Sequence, residues 1–135
     1  MTNPRKAKGT KMETDTVRFL QSLGIPARRN TPNGRLDTGD IHGVEPFVIQ
    51  AKDWASVTDA LRAGVDGAVV QAARAGQPFG VGVVRRAQSN ISRAYAVTTL
   101  DTLARVILRI RLLEDTLARH APEAWQELQE TSSTS

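Results

Sequence analysis

Residues 39–54 have the sequence GDIHGVEPFVIQAKDW, in which two apolar segments flank a turn that contains glycine and proline. We expect strands at residues 40–42 and 47–52, joined by a turn at 43–46. The second segment is almost continuously apolar, which is typical of a central strand that is covered on both faces. This stretch therefore predicts a β-hairpin with one strand inside a sheet.

The segments on both sides of the hairpin predict an α/β fold class. Apolar residues recur at helical spacing over residues 10–23 and 56–75, and Gly24 and Gly76 end these two helices. Further strands are predicted at 25–29, 79–85 and 94–97. A capping box of Thr98 and Asp101 predicts a helix that runs to about residue 120, and Pro122 begins another that runs to about residue 130. If the strands on either side of the second helix are parallel, they form a right-handed crossover unit. The expected architecture is a central mixed sheet flanked by helices.

The length of the chain, 135 residues, suits one domain with its own apolar core. Residues 10–98 are expected to form this core. Residues 99–130 are expected to form a C-terminal helical extension that serves packing or dimerisation. Residues 1–9 are basic and lack periodicity, which indicates a flexible arm, and residues 131–135 are expected to be a disordered tail.

The composition favours an anionic partner and excludes several kinds of site. Eighteen Lys and Arg against fourteen Asp and Glu give a net charge of +4, and the sequence pI is about 10.1. The absence of cysteine excludes disulfides, thiolate zinc sites, iron–sulfur clusters and cysteine nucleophiles. No apolar run is long enough to span a membrane and no signal peptide is recognisable, so we expect a soluble, cytoplasmic protein.

The hairpin also carries the candidate site. Gln50 and Lys52 project from the same face of one strand because side chains alternate along it, and the hairpin can bring Asp40 beside them. A carboxylate, an amide oxygen and the Ala51 carbonyl are hard oxygen ligands, suited to Mg²⁺ with Mn²⁺ as a substitute. A lysine beside such an ion can orient a water or stabilise charge that develops on a phosphate.

The same stretch resembles the core motif of the PD-(D/E)XK nucleases, with GD (residues 39–40) in place of PD and QAK (residues 50–52) in place of (D/E)XK. The order of elements is also similar, from a first helix that carries Glu13, through an arginine-bearing strand and a Gly/Pro loop, to the hairpin. Within this superfamily the chain is most similar to archaeal-type and phage Holliday-junction resolvases, over about residues 8–97. The resemblance implies a restriction-endonuclease-like fold and metal-dependent cleavage of DNA.

The resemblance also implies roles for individual residues. Asp40, Gln50 and the Ala51 carbonyl would hold the metal. Lys52 matches the catalytic lysine, and Glu13 matches an acidic residue that approaches the metal through water. The residues expected to contact DNA are Lys8, Lys11, Arg28, Arg29, Thr31 and Arg35. Either of the two adjacent arginines matches the DNA-contacting arginine of the family, and the threonine matches a loop hydroxyl near the scissile phosphate.

Two positions complicate this pattern. Gln50 stands where the family has an acidic residue, which removes one negative charge and weakens cation binding. Asp37 lies three residues before Asp40 and is the other candidate for the metal-binding aspartate. We favour Asp40 because it directly precedes the apolar Ile41 and so adjoins the strand.

These features predict a metal-dependent DNA endonuclease that resolves Holliday junctions or other branched DNA by hydrolysis of a phosphodiester. Two alternatives stay open. One is a restriction- or repair-type nuclease that acts on linear duplex, and the other is a non-cleaving nucleic-acid-binding module on a degenerate nuclease fold. In each case the basic residues would give affinity for the phosphate backbone rather than sequence choice.

The C-terminal helix predicts a partner of a different kind. Its apolar stripe consists of Leu103, Val106, Ile107, Ile110, Leu113 and Leu117. A sheet that left part of this stripe uncovered would favour a homodimer, because a second copy can bury the same face. A two-fold dimer also suits a four-way junction, which presents two symmetric cleavage points.

Overall fold

The computed structural model describes residues 4–30, 40–53 and 57–133. The chain divides into two compact units, Met1–Thr99 and Leu100–Ser135. The first unit contains a sheet and two long helices, and the second consists of two helices. The α/β class expected from the sequence is confirmed.

A five-stranded sheet forms the centre of the first unit, with its strands in the order β1-β2-β3-β4-β5. The strands are β1 (Arg28–Arg29), β2 (Ile41–His42), β3 (Phe47–Lys52), β4 (Phe79–Val84) and β5 (Tyr95–Val97), and a 3-10 turn at Ile91–Arg93 precedes the last strand. Neighbouring strands are antiparallel except β3 and β4, which are parallel. The sheet is therefore mixed, as predicted, and the apolar strand β3 lies between β2 and β4.

Helices α1 (Pro4–Ser22) and α2 (Val57–Arg74) cover opposite faces of this sheet. Met12 of α1 belongs to the same buried apolar cluster as Ala51. Gly64 of α2 instead lies against the side chain of Lys52. Consecutive residues of a strand point to opposite faces, so the two helices lie on different sides of β3.

Helix α2 approaches β4 closely because two residues of that strand have no side chain. A Cβ on Gly80 would collide with the carbonyl oxygen of Ala68, and a Cβ on Gly82 would lie 2.8 Å from the carbonyl carbon of Gly64. The glycines of the FGVG sequence therefore set the distance between helix and sheet. The neighbouring core side chains on this face are small or aliphatic, namely Val48, Ala60, Ala68, Ala72 and Val84.

The second unit consists of α3 (Leu100–His120) and α4 (Pro122–Ser132), which contact each other. Ala121 joins them and donates its backbone N–H to the carbonyl of Leu117 (2.7 Å). Most large apolar side chains of α3 are exposed: Leu100, Leu103, Ile107, Leu108, Ile110, Leu112 and Leu113. Across the described parts of both units, no helix combines the length and hydropathy that crossing a membrane requires.

The helices at the two ends of the chain are longer than the sequence predicts. Helix α1 begins at Pro4 rather than near residue 10, and residues 4–9 of the predicted arm form its first turns. Proline suits the first position of a helix, and the Arg, Lys and Ala residues that follow are good helix formers. Helix α4 continues to Ser132, into the predicted tail.

Two shorter features also differ from the predictions. The first predicted strand is reduced to Arg28–Arg29, since Pro26 has no N–H to donate to a strand ladder. Thr98 does not take part in a capping box, because its hydroxyl donates to the carbonyl oxygen of Gly80 (2.8 Å) and α3 begins only at Leu100.

Candidate active site

Asp40 is held between the end of β1 and strand β3 by hydrogen bonds of its backbone and its carboxylate. Its backbone N–H donates to the carbonyl of Ile49 (3.2 Å), and its own carbonyl accepts the N–H of Asn30 (2.8 Å). Its carboxylate Oδ2 accepts the backbone N–H of Ala51 (2.9 Å). The half-buried carboxylate is therefore fixed at one edge of β3, directly before β2 begins at Ile41.

The carbonyl oxygen of Ala51 points to the same edge of β3. In an extended strand the N–H and C=O of one residue lie on the same side, which is why two opposite residues can exchange both hydrogen bonds. Because Asp40 accepts the N–H of Ala51, the carbonyl of Ala51 also faces the side on which Asp40 lies. The fold thus places two of the three predicted metal ligands at one edge.

Gln50, the third predicted ligand, is buried and incompletely bonded. Only 6% of its surface is exposed, and its Oε1 accepts no hydrogen bond from any residue in the described ranges. A buried acceptor without a donor costs about 1–3 kcal/mol, so such an atom indicates a water or an ion as its partner. Gln50 directly precedes Ala51, whose N–H Asp40 accepts. The side chain of Gln50 therefore projects from the part of β3 that Asp40 contacts.

Lys52 lies on the same face of the sheet as Gln50, as the alternation of side chains predicts. Its stem packs against Gly64 of α2, where a Cβ would lie 3.5 Å from the lysine Cγ. Its backbone carbonyl accepts the N–H of Arg85 (3.2 Å). The backbone of this lysine is therefore held by β4, and the start of its side chain lies towards α2.

Glu13 lies on the other side of the sheet, on α1. Its Oε2 accepts a hydrogen bond from Nε of Arg29 (2.9 Å). The acidic residue expected near the metal and one of the arginines expected on DNA therefore form an ion pair. The role of Glu13 in the water shell of a metal stays a prediction.

Sequence reasoning missed a second polar cluster, which we call the Arg85 network. It consists of Lys11, Asp15, Asp53 and Arg85. Arg85 donates from Nη2 to Asp15 (2.8 Å) and from Nε to Asp53 (3.0 Å), and Lys11 contacts Asp15 at 2.8 Å. The sequence does contain a pattern that predicts the contact between Asp53 and Arg85. Each residue directly follows one of two parallel strands, and the carboxyl ends of such strands meet at one edge of a sheet.

The network lowers the pKa of the Asp15 carboxyl. The hydrogen bond from Lys11, and then that from Arg85, lower the pKa of its carboxyl below the ordinary value of 3.8. Partial burial acts in the opposite direction but is the weaker effect. Asp15 is therefore a charged structural partner at neutral pH.

Three of the residues predicted to contact DNA have described side chains, and all three are exposed. Lys11 is 70% exposed and Arg29 is 45% exposed, although each takes part in an ion pair, and Arg28 is the third. The other candidates lie wholly or in their side chains outside the described residues: Lys8, Thr31, Arg35 and the alternative metal ligand Asp37.

An apolar cavity of about 620 Å³ lies apart from the candidate site. It opens on the face of the sheet that α1 covers, and its lining includes Phe19, Ile25, Ile49 and Val81. Its described lining contains none of the predicted catalytic residues. The candidate site therefore lies on the side of β3 that faces Asp40, and not in this cavity.

The predicted ligand set consists of one carboxylate, one amide oxygen and one backbone carbonyl. These hard donors fit Mg²⁺ or Mn²⁺, and the unbonded oxygen of Gln50 fits a cation, but one negative charge suits a weakly held ion. Among the residues that the structure describes, no group of three or more His, Cys, Asp or Glu side chains could hold a metal. A metal at this edge would therefore depend on neutral oxygen ligands.

Comparison of the chain with protein-family models, with curated proteins and with solved structures finds no match. The functional conclusion therefore depends on the geometry of the site and on the sequence motif. The site combines an aspartate fixed at the edge of a central strand, a buried amide oxygen to which no described residue donates, and a lysine on the same face as that amide.

Proposed function

We propose that this protein is a metal-dependent DNA endonuclease that acts on Holliday junctions or other branched DNA in the cytoplasm, with a restriction-endonuclease-like core. The observation that carries the proposal is the buried, unbonded Oε1 of Gln50, next to the backbone that Asp40 contacts. An unsatisfied acceptor destabilises a core, so its occurrence on the strand whose backbone holds the Asp40 carboxylate supports a cation site. The resemblance to PD-(D/E)XK nucleases supplies the reaction class.

Mg²⁺, or Mn²⁺ in its place, would be held by Asp40, Gln50 and the carbonyl of Ala51. When bound, the ion supplies charge stabilisation at the phosphodiester and lowers the pKa of a bound water. The N–H of Ala51 orients the carboxylate of Asp40. Little reorganisation of that ligand is therefore needed, which favours both binding and catalysis.

Lys52 supplies the positive charge beside these oxygens. Its position on the face of Gln50 suits a group that orients the attacking water and stabilises charge on the phosphate. Because its stem packs against Gly64, fewer rotamers compete with the productive one.

The basic surface supplies affinity for the DNA backbone. The net charge of +4 and the exposed Lys11, Arg28 and Arg29 support contacts to phosphates. Such contacts position the protein without reading sequence, and they weaken as salt is added. The preference for branched over linear DNA is supported only by the likeness to resolvases.

A non-cleaving nucleic-acid-binding module is the second candidate. It is favoured by the glutamine at position 50, which leaves one carboxylate in the predicted ligand set. The presence of both Asp40 and Lys52 favours the enzyme instead. The two candidates differ in one measurable respect, because only the enzyme responds to a divalent metal by cutting DNA.

Cleavage of a synthetic four-way junction and of a matched linear duplex, each with Mg²⁺ or Mn²⁺, tests the proposal. We expect wild-type protein to cut the junction, and Asp40→Ala and Lys52→Ala to lose at least about a hundredfold in rate. Asp66→Ala, which removes an exposed carboxylate from α2, is the matched control and should cut normally.

The other outcomes are equally informative. Junction binding without cleavage, equal in wild type and Asp40→Ala, would overturn the enzyme and support the binding module. Full activity of Lys52→Ala would show that the assigned site is wrong. Equal cleavage of linear duplex and junction would leave the nuclease but remove its preference for branched DNA.

A further inference from the structure

Helix α3 carries apolar residues in a heptad pattern. Leu103, Ile110 and Leu117 recur every seven residues, and Val106 and Leu113 lie at the intermediate positions. In a two-stranded coiled coil the first set occupies a positions and the second set d positions. The helix is 21 residues long, which corresponds to about 30 Å.

This face is open over most of its length. Leu103 is 46% exposed, Ile110 is 48% exposed and Leu113 is 60% exposed. Helix α4 contacts α3, and Leu117, the last residue of this set, is half-buried. A contiguous apolar face on a soluble chain marks an interaction surface.

Two of the residues that border this face carry charges that suit a second copy of α3. Arg109 occupies a g position directly before Ile110, and Glu114 occupies an e position directly after Leu113. In a parallel coiled coil, the g residue of one helix lies beside the e residue five positions further along its partner. Residues 109 and 114 have this spacing, so two symmetric Arg–Glu pairs would border the interface.

We propose that α3 is a self-association surface at which two copies of this chain form a parallel two-stranded coiled coil. The apolar a and d side chains supply the buried area, and the two Arg109–Glu114 pairs select the parallel orientation. An antiparallel pair would set g positions against g positions and would lose this charge match. The inference goes beyond the proposed nuclease activity and does not depend on it.

Sedimentation equilibrium of the full chain at micromolar concentration tests the surface. We expect the wild type to have the mass of two protomers. Leu113→Asp should weaken the dimer at least about a hundredfold, because it places a carboxylate in the apolar interface. Leu108→Asp is the matched control, since Leu108 is 64% exposed in one copy but occupies the outer f position.

A wild-type mass of one protomer would overturn the proposal, as would equal loss of association in the two variants. If Leu113→Asp is a monomer, circular dichroism shows whether the variant has lost the interface or has lost the helix itself. Retained helical content supports loss of the interface. If the variant loses helix, the association of the charge variants described next decides the proposal.

Charge variants and a single cysteine test the orientation. Arg109→Glu and Glu114→Arg should each weaken the dimer about tenfold, and the double variant should restore it. Because the chain has no cysteine, Leu103→Cys introduces one thiol, and the two a positions face each other only in the parallel pair. A covalent dimer after treatment with oxidised glutathione supports the parallel pair, and its absence from a dimeric variant contradicts it.

The two proposals fail in different ways. A dimer that does not cut DNA would contradict the nuclease alone. A monomer that cuts DNA would contradict the coiled coil alone.

Discussion

The Arg85 network and the Asp40–Gln50 edge adjoin the same central strand, yet they differ in how completely their polar groups are bonded. In the network, Asp15 and Asp53 both accept hydrogen bonds from one guanidinium, at 2.8 and 3.0 Å. At the edge, the buried oxygen of Gln50 finds no donor in the described part of the chain. A complete cluster serves to hold the structure, whereas an incomplete one is suited to a ligand.

Charge explains why the network itself is a poor metal site. The guanidinium of Arg85 lies between two carboxylates, in the place that a divalent cation would need. Binding a metal there would require the arginine to leave a partly buried position and lose two charge-assisted hydrogen bonds. At the edge, the carboxylate of Asp40 accepts a backbone N–H, that of Ala51, which carries no full positive charge.

The largest effect is expected from removing the centre of the network. Arg85→Met leaves Asp15 and Asp53 near each other without the cation that they share, and we expect a loss of about 2 kcal/mol in the free energy of unfolding. Urea unfolding measures this loss. Arg74→Met removes an exposed arginine from the end of α2 and should change stability by less than about 0.5 kcal/mol. Equal stability of the two variants would show that the network does not hold the fold together.

An intermediate effect is expected at the edge. Gln50→Glu adds a second carboxylate to the predicted ligand set, so the affinity for Mn²⁺ should rise about tenfold. Isothermal titration of the metal alone measures this affinity without any requirement for cleavage. Gln126→Glu adds the same charge at an exposed position of α4 and controls for net charge. An unchanged affinity in Gln50→Glu would contradict the assignment of this oxygen.

The smallest effect is the pH dependence that Asp15 contributes. The pKa of its carboxyl is lowered in the folded state, so its contribution to stability is present above the ordinary value of 3.8 and is lost as pH falls through the folded value. Asp15→Asn should therefore be less stable than wild type near neutral pH, and the difference should shrink in acid. Unfolding free energies measured in urea from about pH 6 to about pH 3 test this expectation. A difference that stays constant with pH would show that the ion pairs do not stabilise the protein.

Local patterns were sufficient to predict the parts of this fold that depend on short segments of chain. The antiparallel hairpin, the buried strand β3 and the crossover helix follow from apolar periodicity and turn residues. The shared face of Gln50 and Lys52 follows from alternation along one strand. These predictions need no knowledge of which elements pack together.

The parts that depend on packing between distant segments could not be predicted in this way. Periodicity shows that a strand has two buried faces, but it does not show which helix covers each face. The structure shows that α1, which carries Glu13, packs on the face of Ala51, opposite Gln50 and Lys52. The contact between Asp15 and Arg85 joins residues 70 positions apart, and no local pattern specifies it.

The glycines between α2 and the sheet have a consequence for how far the sequence can vary. Gly80 and Gly82 meet the backbone of the helix, so no larger residue fits at either position without moving α2. At Gly64 an added methyl group would meet only ordinary contacts, the nearest being the stem of Lys52 at 3.5 Å. Alanine also favours a helix over glycine by about 1 kcal/mol. Gly64 is therefore a position at this interface that sequence drift and protein engineering can change, and it adjoins the lysine on which the proposed chemistry depends.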